Sequence, residues 1–367
     1  MSLYRSRLPA FLLFAAAFVA VRPLGASAQD RPAAPSSAAA EQTEMGTTPL
    51  LLQGFGDINY LASAPEGGRS GFVDGAFDLF ATSRLSDHWS ALAELVFEVS
   101  EEGLATDLER FQFTYEYSDA FRVSAGRMHN PLLRWPITNH HGVFNQTPID
   151  LPIIARWEDE PGLWPMHFVG VMMQGRFGGL LGPSYAVGVG NGRGDHLDEV
   201  QVGGDANTNR AVVASFGVSP DAAPGLSLIV SGYFDSIPAP GESLRERDAT
   251  LSGSYLRGDV EVRAEWSRMH HTTVQSGTEY DTTGWYALVA YRLPARLARV
   301  KPYLMIEGLD AAEGEAFLEG VPDEEAWAAG ARWDANRWVA LKGDYRWRRI
   351  QHSDSFGTLR VQLAVNF

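Results

Sequence analysis

The final ten residues of the chain alternate between apolar side chains and polar or small ones. The apolar set is Leu359, Val361, Leu363, Val365 and Phe367. Successive side chains of a β-strand point to opposite faces, so a period of two indicates a strand with one apolar face and one wetter face. We therefore predict a strand over 358–367 that ends on an aromatic residue.

Similar alternation recurs from Pro49 onward and predicts about sixteen strands. The predicted strand cores are 50–61, 71–83, 89–99, 107–117, 121–129, 166–177, 184–190, 209–219, 226–235, 245–256, 260–270, 283–292, 300–309, 325–333, 338–349 and 358–367. Fourteen or eighteen strands also fit the pattern if one segment, most obviously near 178–208, has been split or merged.

The connections between these strands differ in length in a regular way. Every second connection is short and polar, as at 85–88, 118–120, 257–259 and 334–336. The intervening connections are mostly longer: 62–70, 129–165, 191–208, 236–244, 271–282 and 310–324. Short turns at one rim and long loops at the other are typical of outer-membrane β-barrels. The predicted fold class is all-β, a transmembrane antiparallel β-barrel over 49–367 with an aqueous channel inside.

Charged residues decide which face meets lipid, because an arginine on the lipid face at mid-bilayer costs about 2–4 kcal/mol. The charged positions of the predicted strands must therefore face inward. The predicted pore-lining residues are Asp74, Asp78, Glu94, Glu98, Arg110, Glu116, Arg263, Glu265, Lys342, Asp344, Arg346, Arg348 and Arg360. A soluble β protein would explain the alternation equally well, but not the alternation, the loop lengths and the leader segment together.

The first 28 residues are predicted to be a signal peptide. Arg5 and Arg7 precede an apolar stretch over 8–21, and a small-residue cleavage site follows at Ala26-Ser27-Ala28. The alternative is a retained anchor helix, for which the apolar stretch is short. Residues 29–48 are rich in Ala, Pro, Ser and Thr and predict a flexible periplasmic arm.

The mature chain is therefore expected to begin at Gln29. Intact-mass measurement of protein extracted from membranes should give a mass without residues 1–28. A mass that still contains those residues would contradict the signal-peptide prediction.

Composition narrows the function. The chain has no cysteine, which excludes disulfides and thiolate metal sites. Its net charge is −15, and loss of three arginines with the signal peptide makes this −18, which argues against nucleic-acid binding. Lys301 and Lys342 are the two lysines in the sequence, so nearly all positive charge is arginine.

The segment 130–165 lacks any clear period and contains six prolines together with large apolar residues. Long irregular segments within compact proteins are usually functional. We predict that it folds into the lumen as a constriction loop. Its candidate functional residues are Arg134, His140, His141, Arg156 and Glu158.

Metal binding and catalysis are the two chemical alternatives to a channel function. His140 and His141 are adjacent, so their side chains diverge in extended chain, and no neighbouring spacing matches a metal motif. We therefore predict no metal and no cofactor. An enzyme on a barrel wall would need a nucleophile and a base on one face, but Ser124 and His129 lie on opposite faces of the predicted strand.

Two segments resemble known proteins. Glu109-Arg110-Phe-Gln-Phe-Thr-Tyr115 and Phe121-Arg-Val-Ser-Ala-Gly126-Arg127-Met-His-Asn-Pro131 resemble the central part of porins similar to the phosphate-selective O/P type, where such a strand leads into the lumen loop. The terminal Phe367 resembles the carboxy-terminal signature that the insertion machinery of outer-membrane barrels recognises.

The resemblance implies a porin in the outer membrane of a Gram-negative-type bacterium, passing small hydrophilic solutes by passive diffusion. It also implies contact with outer-membrane lipid and lipopolysaccharide, recognition by the barrel assembly machinery, and a homotrimer. The subgroup's anion pathway relies on many basic residues, whereas this chain has two lysines and a net negative charge. A substrate-specific anion (phosphate-like) channel is therefore the alternative, and a barrel enzyme the third hypothesis.

Overall fold

The computed structural model describes residues 48–62, 70–100, 103–139, 144–155, 163–195, 197, 201, 204–205, 208–238 and 243–367. The predicted signal peptide and nearly all of the predicted arm lie outside the described residues, as do His140, His141, Arg156 and Glu158 of the predicted constriction loop. The side chains of Asp74 and Glu98 also lie outside the described part.

The described residues from Leu50 onward form sixteen antiparallel strands in one closed sheet, in which each strand pairs with its neighbours in sequence and β1 pairs with β16. The strands are β1 (Leu50–Ala62), β2 (Gly71–Arg84), β3 (Trp89–Ser100), β4 (Gly103–Ser118), β5 (Phe121–His129), β6 (His167–Arg176), β7 (Ser184–Gly190), β8 (Ala211–Val218), β9 (Leu226–Ile237), β10 (Leu244–Arg257), β11 (Val260–Thr273), β12 (Glu279–Tyr291), β13 (Val300–Asp310), β14 (Glu324–Asp334), β15 (Val339–Ile350) and β16 (Phe356–Asn366). The predicted fold class and strand number are confirmed.

In the part of the chain that the structure describes, helical structure consists of short pieces. Helix α1 spans Arg134–Asn139, and single 3-10 turns occupy Ile153–Ala155 and Ala295–Leu297. Among the described residues, no helix is both long enough and apolar enough to cross a membrane.

Two strands begin four residues earlier than the sequence predicts. β4 starts at Gly103 rather than 107, and β12 starts at Glu279 rather than 283. Their extra residues pair with the backbones of β3 and β11. The difference arises because backbone pairing continues above the lipid level, where side chains no longer need to alternate between apolar and polar.

The two faces of the sheet differ as the charges predict. On β15 and β16, Leu341, Tyr345 and Leu359 are exposed, whereas the alternate residues Lys342 and Arg346 are buried within the barrel. Large exposed aromatic residues gather near the strand ends on the outer face: Trp89, Tyr117, Tyr291, Trp333 and Trp338. An apolar outer band with aromatic edges fits a barrel that is surrounded by lipid.

The terminal residue Phe367 takes part in closing the sheet. Its backbone and that of Gly54 exchange two hydrogen bonds, of 2.9 and 3.0 Å. The Phe367 ring stacks on Phe77 with centroids 5.9 Å apart and covers Gly54, where a Cβ atom would lie 2.3 Å from the ring. A side chain at position 54 would therefore displace the ring.

Replacement of Phe367 by Asp is expected to reduce the amount of assembled barrel strongly, because the substitution removes the ring from the closing seam. The measurement is the heat-modifiable, folded fraction in outer-membrane preparations. Phe177→Asp is the matched control, since Phe177 is also an exposed aromatic at the short-turn rim but lies away from the seam. Equal folded levels of the Phe367 variant and wild type would contradict this role.

Candidate functional site

The long connection between β5 and β6 starts from a tightly paired root. His129 faces His167 in the last pair of the two strands, and the Asn130 N–H donates to the Met166 carbonyl at 2.7 Å. The Asn130 side chain accepts a hydrogen bond from the Leu132 N–H at 3.1 Å. The described parts of the connection, 130–139, 144–155 and 163–166, then contact inward-facing side chains of several strands. The prediction that this segment folds into the lumen agrees with these contacts.

One side of the barrel interior is filled by an apolar core rather than by a channel. The loop contributes Leu132, Leu133, Trp135, Ile153, Ile154, Ala155, Leu163, Trp164 and Met166. The wall contributes inward residues of β5 to β14: Met128, Phe168, Met172, Ala186, Ala211, Val213, Tyr233, Ile237, Leu244, Met269, Tyr286, Leu288, Ala290, Tyr303, Met305, Leu309 and Ala328. The loop packs this side of the interior, because its strands carry inward apolar residues, such as Met269, Leu288 and Met305, among their polar ones.

Glu265 anchors the start of α1. Its carboxylate accepts hydrogen bonds from the backbone N–H groups of Arg134 (2.6 Å) and Trp135 (2.7 Å). It also accepts from the hydroxyls of Ser252 and Tyr286, both at 2.8 Å. A carboxylate at a helix N-terminus satisfies N–H groups that have no partner within the helix. Glu265 faces inward as predicted, but it is buried beneath the loop and does not line water.

Asp150 joins the loop to the opposite wall. Its carboxylate lies 2.9 Å from the Arg346 guanidinium and 2.8 Å from that of Arg360. Arg360 also pairs with Asp344 at 2.8 Å, and Arg346 with Glu307 at 2.5 Å. Buried guanidinium groups are tolerated only when acidic partners and hydrogen bonds compensate their lost hydration. The charges of Arg346 and Arg360, both predicted pore-lining residues, are thus neutralised by pairing.

The other predicted charged residues have partners too. Arg348 makes a bidentate pair with Glu324 at 2.8 and 2.9 Å. The Lys342 ammonium donates to the Pro148 carbonyl at 3.0 Å, which ties a second loop residue to β15.

Arg263 holds the inner wall near α1. It pairs with Glu261 at 2.7 Å, and its guanidinium lies over the Trp135 ring, 5.7 Å from the centroid. Glu116 lies 3.8 Å from Arg122, and both are largely exposed at the short-turn rim. Glu116 is therefore placed at the mouth of the barrel rather than along its interior.

A β-bulge in β4 breaks the alternation at two consecutive charged residues, Glu109 and Arg110. The ladder pairs Glu94 with Arg110 and Leu95 with Leu108, which leaves Glu109 as the extra residue. Leu108 and Phe111 are exposed on the outer face, while Glu109 is buried. Strict alternation places Glu109 on the lipid face, so the sequence analysis did not identify the bulge. The signal for it was a charged residue at a position predicted to face lipid.

A second bulge lies beside Asp74, where the β1–β2 register shifts between Gly56 and Ile58. The inward orientation of Asp74 stays a prediction, because its side chain lies outside the described part of the chain.

The inner wall of β1 to β4 remains polar and is not part of the apolar core. Asp57 accepts hydrogen bonds from Asn59 (2.6 Å) and Gln362 (3.1 Å). Arg110 pairs with the buried Glu94, and its guanidinium lies 5.3 Å from the centroid of the Phe80 ring. This wall and the Asp150 side of the loop together form the candidate functional site.

A buried polar network at the long-loop end was not predicted. Arg193, from the β7–β8 connection, pairs with Glu246 at 3.0 Å, and its guanidinium lies 5.1 Å from the centroid of the Phe317 ring. His271 contacts both Glu246 (3.7 Å) and Glu315, and the latter belongs to the β13–β14 connection. The network ties two loops to the wall, and nothing in the local sequence pattern pairs these positions.

Neither metal binding nor catalysis gains support from the described residues. No three His, Asp or Glu side chains in that part of the chain come together as a metal site. On the outer face, Thr272 lies 3.3 Å from His270, which lies 2.9 Å from Asp281. Arg268 also binds the Asp281 carboxylate at 2.7 Å, so a surface ion pair accounts for the cluster.

A scan of family models and a search of curated proteins find no match to the sequence. Solved structures do share its fold. An anion-selective porin from Comamonas acidovorans is 12% identical with a TM-score of 0.60, covering 87% of this chain and 99% of the porin. The outer-membrane channel DcaP of Acinetobacter baumannii is 12% identical with a TM-score of 0.62, covering 89% and 98%. Salmonella typhi OmpF, in complex with daunomycin, is 10% identical with a TM-score of 0.57, covering 87% and 98%.

At these identities the similarity concerns the fold. The class of protein is therefore defined by architecture: the chain has the fold of outer-membrane porins and channels. The predicted general resemblance to porins agrees with this result at the level of the fold.

Glu265→Ala should lower the free energy of unfolding by about 2–4 kcal/mol, because it leaves two buried backbone N–H groups at the start of α1 without an acceptor. Urea unfolding in lipid vesicles measures the change. Glu116→Ala is the control, since it removes an exposed carboxylate at the rim. Two variants of equal stability would show that Glu265 does not hold the loop.

Proposed function

We propose that the protein is an outer-membrane porin that passes small hydrophilic solutes and ions by passive diffusion. The observation that carries the proposal is the division of the inner surface. A core of apolar residues, with the buried carboxylates of β9–β11 among them, joins the loop to β5–β14, while β15, β16 and β1–β4 keep charged and amide side chains facing inward outside that core. Water and solutes would pass between the loop and this polar wall, with 130–165 acting as the constriction loop.

Within this proposal, the predicted pore-lining role falls to the residues of the polar wall. Asp57 and Arg110 lie on the inner side of β1–β4 and are partly exposed, whereas Asp78 and Glu94 are buried in the same wall and would support it. Asp150 contributes a partly exposed carboxylate from the loop. Glu98 belongs to the same set by its position on β3. Arg263 and Glu265 would act instead as anchors of the loop.

We further propose that the pathway favours cations. Asp150 pairs with two arginines, yet its side chain is 39% exposed, whereas those of Arg346 and Arg360 are 2% and 10% exposed. The Asp150 carboxylate of the loop thus covers the guanidinium groups of Arg346 and Arg360. Asp107 on β4 is also well exposed, at 43%, beside an Arg127 that is 13% exposed. A mobile ion would meet carboxylate oxygens before it meets guanidinium groups.

The alternative is a substrate-specific anion channel, the finer prediction drawn from the phosphate-selective O/P resemblance. The anion-selective porin of Comamonas acidovorans shares the fold. An anion pathway needs accessible basic groups, and pairing of Arg346, Arg348 and Arg360 with acids weighs against this alternative. A barrel enzyme is supported by no arrangement in the described residues.

The assembly state and partners also belong to the proposal. A homotrimer is consistent with the OmpT protein of Vibrio cholerae, described in a trimer form, which is 10% identical with a TM-score of 0.58. We also propose that the barrel assembly machinery recognises Phe367. The assembled barrel would contact outer-membrane lipid and lipopolysaccharide.

Planar-bilayer recording tests the function and the selectivity together. Wild-type protein should give ohmic channels whose reversal potential under a KCl gradient indicates preference for K⁺. Asp150→Asn should shift the preference toward Cl⁻, because it uncovers Arg346 and Arg360. A unit charge about 5 Å from an ion in water changes the local ion concentration about fourfold, and low salt should enlarge the shift.

Asp221→Asn is the matched control. It makes the same charge change in the exposed turn between β8 and β9, at the short-turn rim. Absence of any current from heat-modifiable, folded protein would overturn the porin function. Channels that conduct but prefer Cl⁻, or that keep their reversal potential in Asp150→Asn, would overturn the cation preference alone.

A further inference from the structure

Arg245 and Arg247 lie on the lipid-facing side of β10. Both side chains are exposed, and their neighbours Leu244, Glu246 and Asp248 are buried on the inner side. Neither arginine forms an ion pair within the described part of the chain. Their partners across the ladder are Phe234 and His270 for Arg247, and Ser236 and Thr272 for Arg245. Neither arginine therefore has an acidic residue directly beside it.

The height of these arginines on the barrel is informative. Arg257 ends β10 at the short-turn rim, and the outward positions between Arg257 and Arg247 carry no charge: Ala249, Leu251, Gly253 and Tyr255. Ten residues of strand span about 33 Å, which at the usual strand tilt is about 25 Å along the membrane normal. That distance matches the height of the apolar band of an outer-membrane barrel. Arg247 then lies at the outer lipid boundary, and Arg245 lies just beyond it.

The next strand extends the same surface. Trp266 of β11 lies opposite Leu251 and Trp285 within the apolar band. One step toward the long-loop rim, Arg268 pairs with Asp281 at 2.7 Å and keeps 48% of its side chain exposed. Arg245, Arg247 and Arg268 thus form an outer basic patch directly above apolar and indole side chains.

Such a patch is unexpected on this chain. The connections at the long-loop rim contain seventeen acidic residues and five arginines, whereas the short turns contain four of each. An acidic rim repels an anionic membrane surface. A guanidinium at the lipid boundary is stabilised by a phosphate, which it binds through two parallel hydrogen bonds.

We propose that the outer basic patch binds the phosphate groups of the outer-leaflet glycolipid, lipid A, with Arg245 and Arg247 as the main contacts. The acyl chains of the same molecule pack against the apolar surface below, which includes Leu251 and Phe234, 39% and 52% exposed. Continuity of the patch with the lipid-facing band selects a lipid phosphate over a free anion.

The test compares Arg245→Gln/Arg247→Gln with wild type in detergent micelles that contain lipid A. The double variant should bind lipid A at least about tenfold more weakly, because it removes two charge-assisted contacts. Removing the phosphates from lipid A should weaken its binding to wild type equally. Inorganic phosphate at millimolar concentration should not compete.

Arg296→Gln/Arg299→Gln is the matched control, since both arginines are exposed at the opposite rim. Heat modifiability shows that each variant is folded, and substitutions on exposed positions should leave folding intact. Equal lipid A affinity in the Arg245/Arg247 variant and the control would overturn the proposal. Equal binding of dephosphorylated lipid A, or full competition by inorganic phosphate, would overturn it as well.

Discussion

The structure depends on one constraint: in lipid, every backbone N–H and C=O of a strand must find a partner within the protein. The described strands meet this constraint by closing into a ring, with β1 paired to β16. Closure fixes the outer face as apolar and leaves an interior that must be either hydrated or filled. The hydrogen bonds between Gly54 and Phe367 complete the seam at the short-turn rim.

The interior is packed with loop residues on one side and stays polar on the other. Along β5–β14, the loop after β5 supplies leucine, isoleucine and tryptophan side chains that pack against the wall. Carboxylates then fix its position: Glu265 holds the start of α1, and Asp150 joins the loop to Arg346 and Arg360. Removing one partner of such buried pairs is costly, so the loop, the basic residues and the polar wall form one interdependent arrangement.

The sequence predicts the strands well because lipid enforces strict alternation on the outer face. The prediction fails for bulges, for inward-facing residues and for loops, because contact with lipid does not constrain their pattern. The bulges beside Glu109 and Asp57 each add a residue, which a period of two cannot anticipate. The inward apolar residues of β12 and β13, such as Leu288 and Met305, have a core partner more than a hundred residues away in sequence. The pairing of Arg193 with Glu246, or of Asp150 with Arg360, likewise depends on loops whose paths carry no local pattern.

Water is expected to follow the polar inner wall of β15, β16 and β1–β4. It is expected to be excluded from the wall of β5–β14, against which the loop packs. The chain has no cysteine, so single cysteines can be placed on both walls and probed with a water-soluble thiol reagent during bilayer recording. Asn59→Cys and Gln112→Cys on the polar wall should react quickly and reduce the current. Met305→Cys and Ala328→Cys on the packed wall should react slowly and leave it unchanged. Equal reaction rates on the two walls would contradict the account.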